Sequence, residues 1–148
     1  MTPIVPDVLW IGHAGDGRDL PRLLDAGIRA VVRLAVEEPS PSTLREWIDV
    51  RIPLLDGPGN SPAFLLLAIR SVATLVEARV PTLICCGAGM SRSPCIAALA
   101  LASVFGEPPE SALARVARLR PCDISPGLWN EARSVWASFR EKPSTQEG

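Results

Sequence analysis

Apolar and polar positions along the chain predict strands and helices that follow one another in turn. Residues 28–34 are rich in β-branched side chains and predict a buried strand, and residues 50–54 predict another. After Pro62, apolar side chains recur at helical spacing and predict a helix with one buried face. Residues 81–85 predict a strand, and the nearly all-apolar stretch after Pro94 predicts a central helix. Such alternation favours an α/β domain with a mostly parallel sheet.

Shorter segments complete the predicted elements. They are an extended entry over residues 4–11 and helices over residues 19–26, 42–48, 109–119 and 126–139. We therefore expect a single domain across residues 1–148, with a mostly parallel central sheet of about five strands flanked by helices. Residues from about 141 to 148 are expected to form a flexible tail.

The composition is that of a globular protein and narrows the range of partners. Of the 148 residues, 47 % are hydrophobic and 21 % are charged, and the formal net charge is −1. This balance does not favour a nucleic-acid partner. No basic residue precedes Arg18, and the apolar run over residues 94–105 is too short to span a bilayer. We expect a cytoplasmic protein that binds neither nucleic acid nor membrane.

The four cysteines do not form a metal-binding or disulfide pattern. Cys85, Cys86, Cys95 and Cys122 include no Cys-x-x-Cys pair, so a structural zinc site is not expected. Adjacent cysteines rarely bridge each other, which disfavours a disulfide framework. Cys95 lies in the apolar helix and is expected in the core, and a resolving role for Cys122 stays open.

The stretch CCGAGMSRS, residues 85–93, has the composition of an anion-binding loop between a strand and a helix. Gly87, Gly89 and the small Ala88 allow a tight turn that aims several N–H groups at one point. The Gly-Lys-Ser/Thr of a nucleotide-binding phosphate loop is absent. A thiol at Cys86 would be favoured as thiolate by the helix end and by Arg92, whose planar group can bind two oxygens. The alternative is a small buried cysteine and a solvated arginine.

Asp56 is the candidate proton donor for such a site. It follows the predicted strand over residues 50–54, in a segment rich in glycine and proline, and can reach a site built from strand ends. Asp-Gly-Pro-Gly is also ordinary turn chemistry, so the residues alone leave both roles open.

These residues resemble the dual-specificity protein phosphatases, a branch of the cysteine-dependent tyrosine phosphatases. The branch signature is His-Cys-x-x-Gly-x-x-Arg-Ser/Thr, which Cys86, Gly89, Arg92 and Ser93 match. The likeness extends to IVPDVLWIGHA, LLDAGIRAVVRLA, IPLLD and LRPCDISPG, and so covers nearly the whole chain. It implies the fold of the cysteine-dependent phosphatases.

The resemblance also implies a role for each matched residue. Cys86 would attack phosphorus and form a phosphocysteine, Asp56 would act as acid and then base, and Ser93 would hydrogen-bond the sulfur. The phosphate-binding residues would be Gly87, Ala88, Gly89, Met90, Ser91 and Arg92. No metal or cofactor is required. The implied partner is a phosphorylated protein or peptide, and phosphate-like oxyanions are expected to inhibit.

One position departs from the family pattern, because Cys85 stands where the signature has histidine. A cysteine donates only weak hydrogen bonds, so slower turnover is expected. The implied function is hydrolysis of phosphotyrosine, with phosphoserine and phosphothreonine as further candidate substrates. Two alternatives stay open: a phosphate-binding module with little turnover, and a phosphatase for a non-protein phosphomonoester.

Charged side chains elsewhere are assigned structural roles. His13, the only histidine, is expected at the surface among glycines. Arg115, Arg118 and Arg120 are expected on a solvated helix face.

Overall fold

A computed structural model describes residues 1–37 and 47–141. This part of the chain contains five strands and six helices. They are β1 (Thr2–Val5), β2 (Leu9–His13), α1 (Ala14–Arg18), α2 (Leu20–Asp25), β3 (Ala30–Ala35), β4 (Ile48–Leu54), α3 (Pro62–Glu77), β5 (Thr82–Cys86), α4 (Arg92–Phe105), α5 (Pro109–Leu119) and α6 (Pro126–Glu141).

The strands form one sheet in the order β1-β2-β5-β3-β4. β1 pairs with β2 antiparallel, whereas the pairs β2–β5, β5–β3 and β3–β4 are parallel. The predicted α/β fold with a mostly parallel sheet is therefore confirmed. β5 lies at the centre of the sheet, so the loop after its carboxyl end lies at the edge where ligands bind in open α/β sheets.

Two layers of helices cover the sheet, and β5 contributes side chains to both. Leu83 and Cys85 pack with Leu23 of α2 in the smaller core cluster. Ile84 and Cys86 belong to the larger cluster, which includes side chains of α3, α4, α5 and α6. Side chains alternate along a strand, so Cys85 and Cys86 point to opposite faces of the sheet.

Helix α4 is the central helix that its apolar sequence predicts, and every residue from 92 to 102 is buried. Its last turn ends at Gly106, which has a φ of 64° and forms the left-handed cap. No described helix is long and apolar enough to cross a membrane.

Some elements differ from the predicted ones. Helix α1 was not predicted, because its glycine-rich sequence has no apolar period; His13 caps it, and its imidazole accepts a hydrogen bond from Asp16 N at 3.2 Å. Strand β4 begins at Ile48, where a helix was predicted over residues 42–48. Residue 47 is not helical either, whereas residues 42–46 of that predicted helix and residues 142–148 of the predicted tail lie outside the described residues.

Candidate active site

The loop between β5 and α4, residues 87–91, contains a glycine, Gly89, where it passes closest to Gly12 and Arg120. Gly89 has a φ of 72°, in the left-handed region that glycine adopts freely. A Cβ atom there would lie 2.6 Å from the carbonyl oxygen of Gly12 and 2.5 Å from Nη2 of Arg120. Any other residue at position 89 would therefore disturb the loop.

Four consecutive carbonyl oxygens of this loop accept hydrogen bonds from groups outside it. The bonds run from Ala14 N to Gly87 O at 3.1 Å, Arg120 Nη2 to Ala88 O at 3.3 Å, Arg120 Nε to Gly89 O at 2.8 Å, and Asp123 N to Met90 O at 2.8 Å. In a planar trans peptide the N–H points away from the C=O. The N–H groups of the next four residues, 88–91, are therefore directed away from these donors, which leaves them available to an oxyanion.

Arg120 provides two of these four hydrogen bonds and is a positioning residue of the loop. Its Nη1 also donates to Thr2 Oγ1 at 2.8 Å and to Ile11 O at 3.4 Å. The prediction that Arg120 lies on a solvated helix face is therefore wrong. Helix α5 ends at Leu119, and the extended backbone of Arg120 turns its side chain towards the loop.

Replacing Arg120 with alanine is expected to weaken phosphate binding by about 10-fold, because two loop carbonyls lose their donors and the amides behind them lose alignment. Isothermal titration with inorganic phosphate or tungstate measures the change. Lysine is expected to restore little, since one ammonium cannot replace the fork of a guanidinium.

Arg118→Ala, at an exposed position of α5, is the matched control and should bind phosphate like the wild type. Wild-type affinity in a folded Arg120→Ala protein would contradict the positioning role. Melting temperatures measured alongside separate a lost alignment from a lost fold.

Cys86 is the last residue of β5, and its sulfur lies at the base of the loop. The side chain is only 2 % exposed, and Sγ accepts a hydrogen bond from the backbone N of Ser93 at 3.4 Å. The predicted contact between the Ser93 hydroxyl and the sulfur is thus replaced by one from the Ser93 amide. The hydroxyl itself is buried and has no hydrogen-bond partner among residues 1–37 and 47–141.

Arg92 begins α4, and its guanidinium is held by two groups from the neighbouring part of the sheet. Nη1 donates to Leu54 O, the last residue of β4, at 3.0 Å. Nη2 donates to Glu37 Oε1 at 3.1 Å. The hydrogen bond from Arg92 holds the pKa of Glu37 below its usual range, so Glu37 stays ionised near neutral pH. Glu37 is therefore a positioning residue for Arg92.

Asp56 lies in the exposed loop after β4 and is tied to the loop between β5 and α4. Ser91 Oγ donates to Asp56 Oδ1 at 2.5 Å and accepts a hydrogen bond from Ser125 N at 3.0 Å. Asn60 stabilises the Asp56 loop, since its side chain bonds to both the N and the O of Leu55, at 2.8 and 3.0 Å. Asp56 therefore belongs to a structured turn and also lies at the candidate site.

The side chains that the sequence singles out meet around one pocket of about 210 Å³. Its lining residues are Asp56, Cys86, Ala88, Met90, Ser91, Arg92 and Asp123. Gly87, Gly89 and Ser93 are not among the lining residues; the two glycines lie in the loop, and Ser93 lies in the first turn of α4. Asp123 was not predicted from the sequence as a residue of this site. The part of the chain that the structure describes holds no cluster of three metal-ligating side chains.

The other cysteines lie apart from this pocket. Cys95 is buried in α4, and burial together with the charge of Asp56 raises the pKa of its thiol to about 12, so it stays protonated. Cys122 faces a different cavity, which Leu113 and Trp129 also line. Cys85 is fully buried, and a Cβ on Gly17 would lie only 2.7 Å from its sulfur, so α1 packs closely against this position.

Comparisons with solved structures identify the fold. Human DUSP28 superposes with a TM-score of 0.81 at 22 % identity, covering 95 % of this chain and 98 % of the other. A mouse protein described as a dual specificity phosphatase, in complex with zinc tungstate, gives 0.81 at 23 % identity, with 94 % and 87 % covered. The human tyrosine phosphatase-like serine/threonine/tyrosine-interacting protein gives 0.79 at 21 % identity, with 95 % and 97 % covered.

The chain therefore has the fold of the dual-specificity phosphatases, as its sequence motifs indicate. No protein-family model matches the sequence, and no curated protein is significantly similar to it.

Proposed function

We propose that the protein is a cysteine-dependent phosphoprotein phosphatase that hydrolyses phosphotyrosine, with phosphoserine and phosphothreonine as further substrates. The observation that carries this proposal is the pocket itself, which Cys86, Arg92 and Asp56 line together. A nucleophile, a cation and a carboxylic acid around an amide cradle are the groups that phosphomonoester hydrolysis needs.

In the first step the Cys86 thiolate attacks phosphorus, and a sulfur–phosphorus bond forms as the bond to the ester oxygen breaks. Arg92 and the loop amides stabilise the charge on the non-bridging oxygens. Asp56 gives its proton to the leaving oxygen, so the product departs as an alcohol or a phenol. The bond between Ser91 and Asp56 keeps the acid beside the loop.

In the second step water attacks the phosphocysteine. Asp56, now ionised, takes a proton from the water as the sulfur–phosphorus bond breaks, and inorganic phosphate is released with a thiolate. The Ser93 amide stabilises that thiolate through the bond to Sγ, and the adjacent Ser93 hydroxyl is available to do the same.

The pocket walls favour a phosphoprotein over a more highly charged substrate. The residues between Cys86 and Arg92 are Gly, Ala, Gly, Met and Ser, none of which carries a charge. Met90 is 39 % exposed and lines the pocket, so its side chain can pack against an aromatic ring. Inhibition by phosphate-like oxyanions is expected, and the mouse neighbour is complexed with zinc tungstate.

Trapping the covalent intermediate tests this mechanism. Asp56→Ala lacks the base of the second step, so a brief reaction with an aryl phosphate should leave phosphate on Cys86, which mass spectrometry of a peptic digest detects. Asp25→Asn, at an exposed position of α2, is the control and should accumulate no adduct. An Asp56→Ala protein that turns over slowly without any adduct on Cys86 would refute the phosphocysteine route.

A phosphate-binding module with little turnover is the second candidate. Cys85 occupies the position of the signature histidine, and part of the guanidinium of Arg92 is engaged by Glu37. This candidate predicts phosphopeptide affinity that survives Cys86→Ser and falls in Arg92→Ala, together with wild-type hydrolysis at the level of Cys86→Ser.

A further inference from the structure

Asp123 lines the pocket but has no part in the mechanism above. It lies in the segment between α5 and α6, and its backbone N is fixed to Met90 O at 2.8 Å. Its side chain is exposed and makes no hydrogen bond or ion pair with any residue that the structure describes. A carboxylate is thus held at the pocket with its oxygens available to a ligand.

The other carboxylates at this site differ from Asp123, because each has a partner. Asp56 accepts the hydrogen bond of Ser91, and Glu37 accepts that of Arg92. Arg92 is the only cationic side chain that lines the pocket within the described residues. The nearby guanidinium of Arg120 is turned to the carbonyl groups on the outside of the loop.

A free carboxylate beside an anion-binding cradle repels a phosphate dianion. The repulsion is offset when the bound molecule carries a cation close to its phosphate, because that cation can pair with the carboxylate. We infer that Asp123 is a specificity-determining residue, which selects phosphopeptides with arginine or lysine beside the phosphorylated residue. This inference rests on the proposed function, since it names the substrate class of the same pocket.

Three phosphotyrosine peptides test the preference. They share one sequence and differ only in the two residues that flank phosphotyrosine, which are both arginine, both alanine or both glutamate. The wild type is expected to show the highest kcat/KM for the arginine peptide and the lowest for the glutamate peptide. In Asp123→Asn the arginine-to-glutamate ratio should shrink by about two- to five-fold, as expected for one exposed charge pair.

Matched variants separate this effect from general damage. Asp123→Glu should keep the wild-type ratio, because it keeps the charge, and Asp25→Asn should keep it as a distant exposed control. Hydrolysis of an aryl phosphate that carries no other charged group should rise in Asp123→Asn by no more than about two- to five-fold, because the variant removes the repulsion between the carboxylate and the phosphate dianion. High salt should reduce the wild-type preference towards that of Asp123→Asn, since salt screens exposed charges.

A binding arm keeps the inference testable without turnover. The dissociation constants of the same three peptides are measured on Cys86→Ser protein, with and without Asp123→Asn. If the wild type does not hydrolyse the peptides but the Cys86→Ser protein prefers the arginine peptide, and Asp123→Asn reduces that preference, the proposed enzymatic function is refuted and the inference about Asp123 is supported. Equal affinities for the three peptides, or a preference that Asp123→Asn leaves unchanged, would refute the inference whatever the enzyme does.

Discussion

Cys86→Ser is expected to abolish hydrolysis of aryl phosphates and phosphotyrosine peptides, lowering kcat by about 10⁴-fold or more. A serine hydroxyl is a much weaker nucleophile than a thiolate, and Asp56, which lines the same pocket, cannot activate it as a base because the first step needs Asp56 in its acidic form. The loop amides and Arg92 do not depend on the sulfur. The variant should therefore still bind inorganic phosphate within a few-fold of the wild type.

Cys122→Ser is the matched control, because it makes the same chemical change at a cysteine that faces another cavity. Its rate with an aryl phosphate near pH 6 should equal that of the wild type. The enzyme proposal would be untenable if wild type and Cys86→Ser hydrolysed the substrate at the same rate. Loss of phosphate binding in a folded Cys86→Ser protein would instead contradict the assignment of the cradle to the backbone.

The local chemistry of the loop could be predicted from the sequence because it depends on neighbours along the chain. The strand before Cys86, the glycines after it and the helix that begins at Arg92 all belong to one contiguous segment. Backbone conformation within such a segment is limited by its own residues, above all by Gly89 with its positive φ. The same holds for Asp56, whose loop is shaped by Asn60 four residues further on.

The groups that hold the loop in place could not be predicted, since their partners are distant in sequence. Glu37 meets Arg92 across 55 positions, and Arg120 meets Gly89 across 31. An arginine near the end of an amphipathic helix has the pattern of a solvated residue, and only the extended backbone after α5 turns Arg120 inward. Glu37 offered one usable signal, because it follows β3 at the same sheet edge as the loop after β5.

Arg92→Ala is expected to lower kcat/KM by about 10³-fold, through lost charge stabilisation of the transferring phosphoryl group. Arg92→Lys should recover only part of this loss. The planar guanidinium presents separate N–H groups to Leu54 O, to Glu37 and to two phosphate oxygens. The compact ammonium of a lysine cannot bind all of these acceptors at once. Single-turnover rates measured on both variants give the contribution of Arg92 to the chemical step, and phosphate affinities give its contribution to binding.

Glu37→Gln tests how much the orientation of the Arg92 guanidinium contributes to the rate, because the variant leaves the charge of Arg92 in place. An amide keeps one acceptor for Arg92 but loses the ion pair, so the expected loss in kcat/KM is smaller, about 10-fold or less. Because the pKa of Glu37 is lowered from its usual 4.5, the wild-type contact persists above that pH and is lost only as pH falls below it. The difference between wild type and Glu37→Gln should therefore be constant from pH 6 to pH 8, as rate profiles over that range would measure. A folded Arg92→Lys protein with the wild-type rate would contradict the bidentate role of the guanidinium, and a folded Arg92→Ala protein with the wild-type rate would contradict the role of Arg92 in phosphoryl transfer.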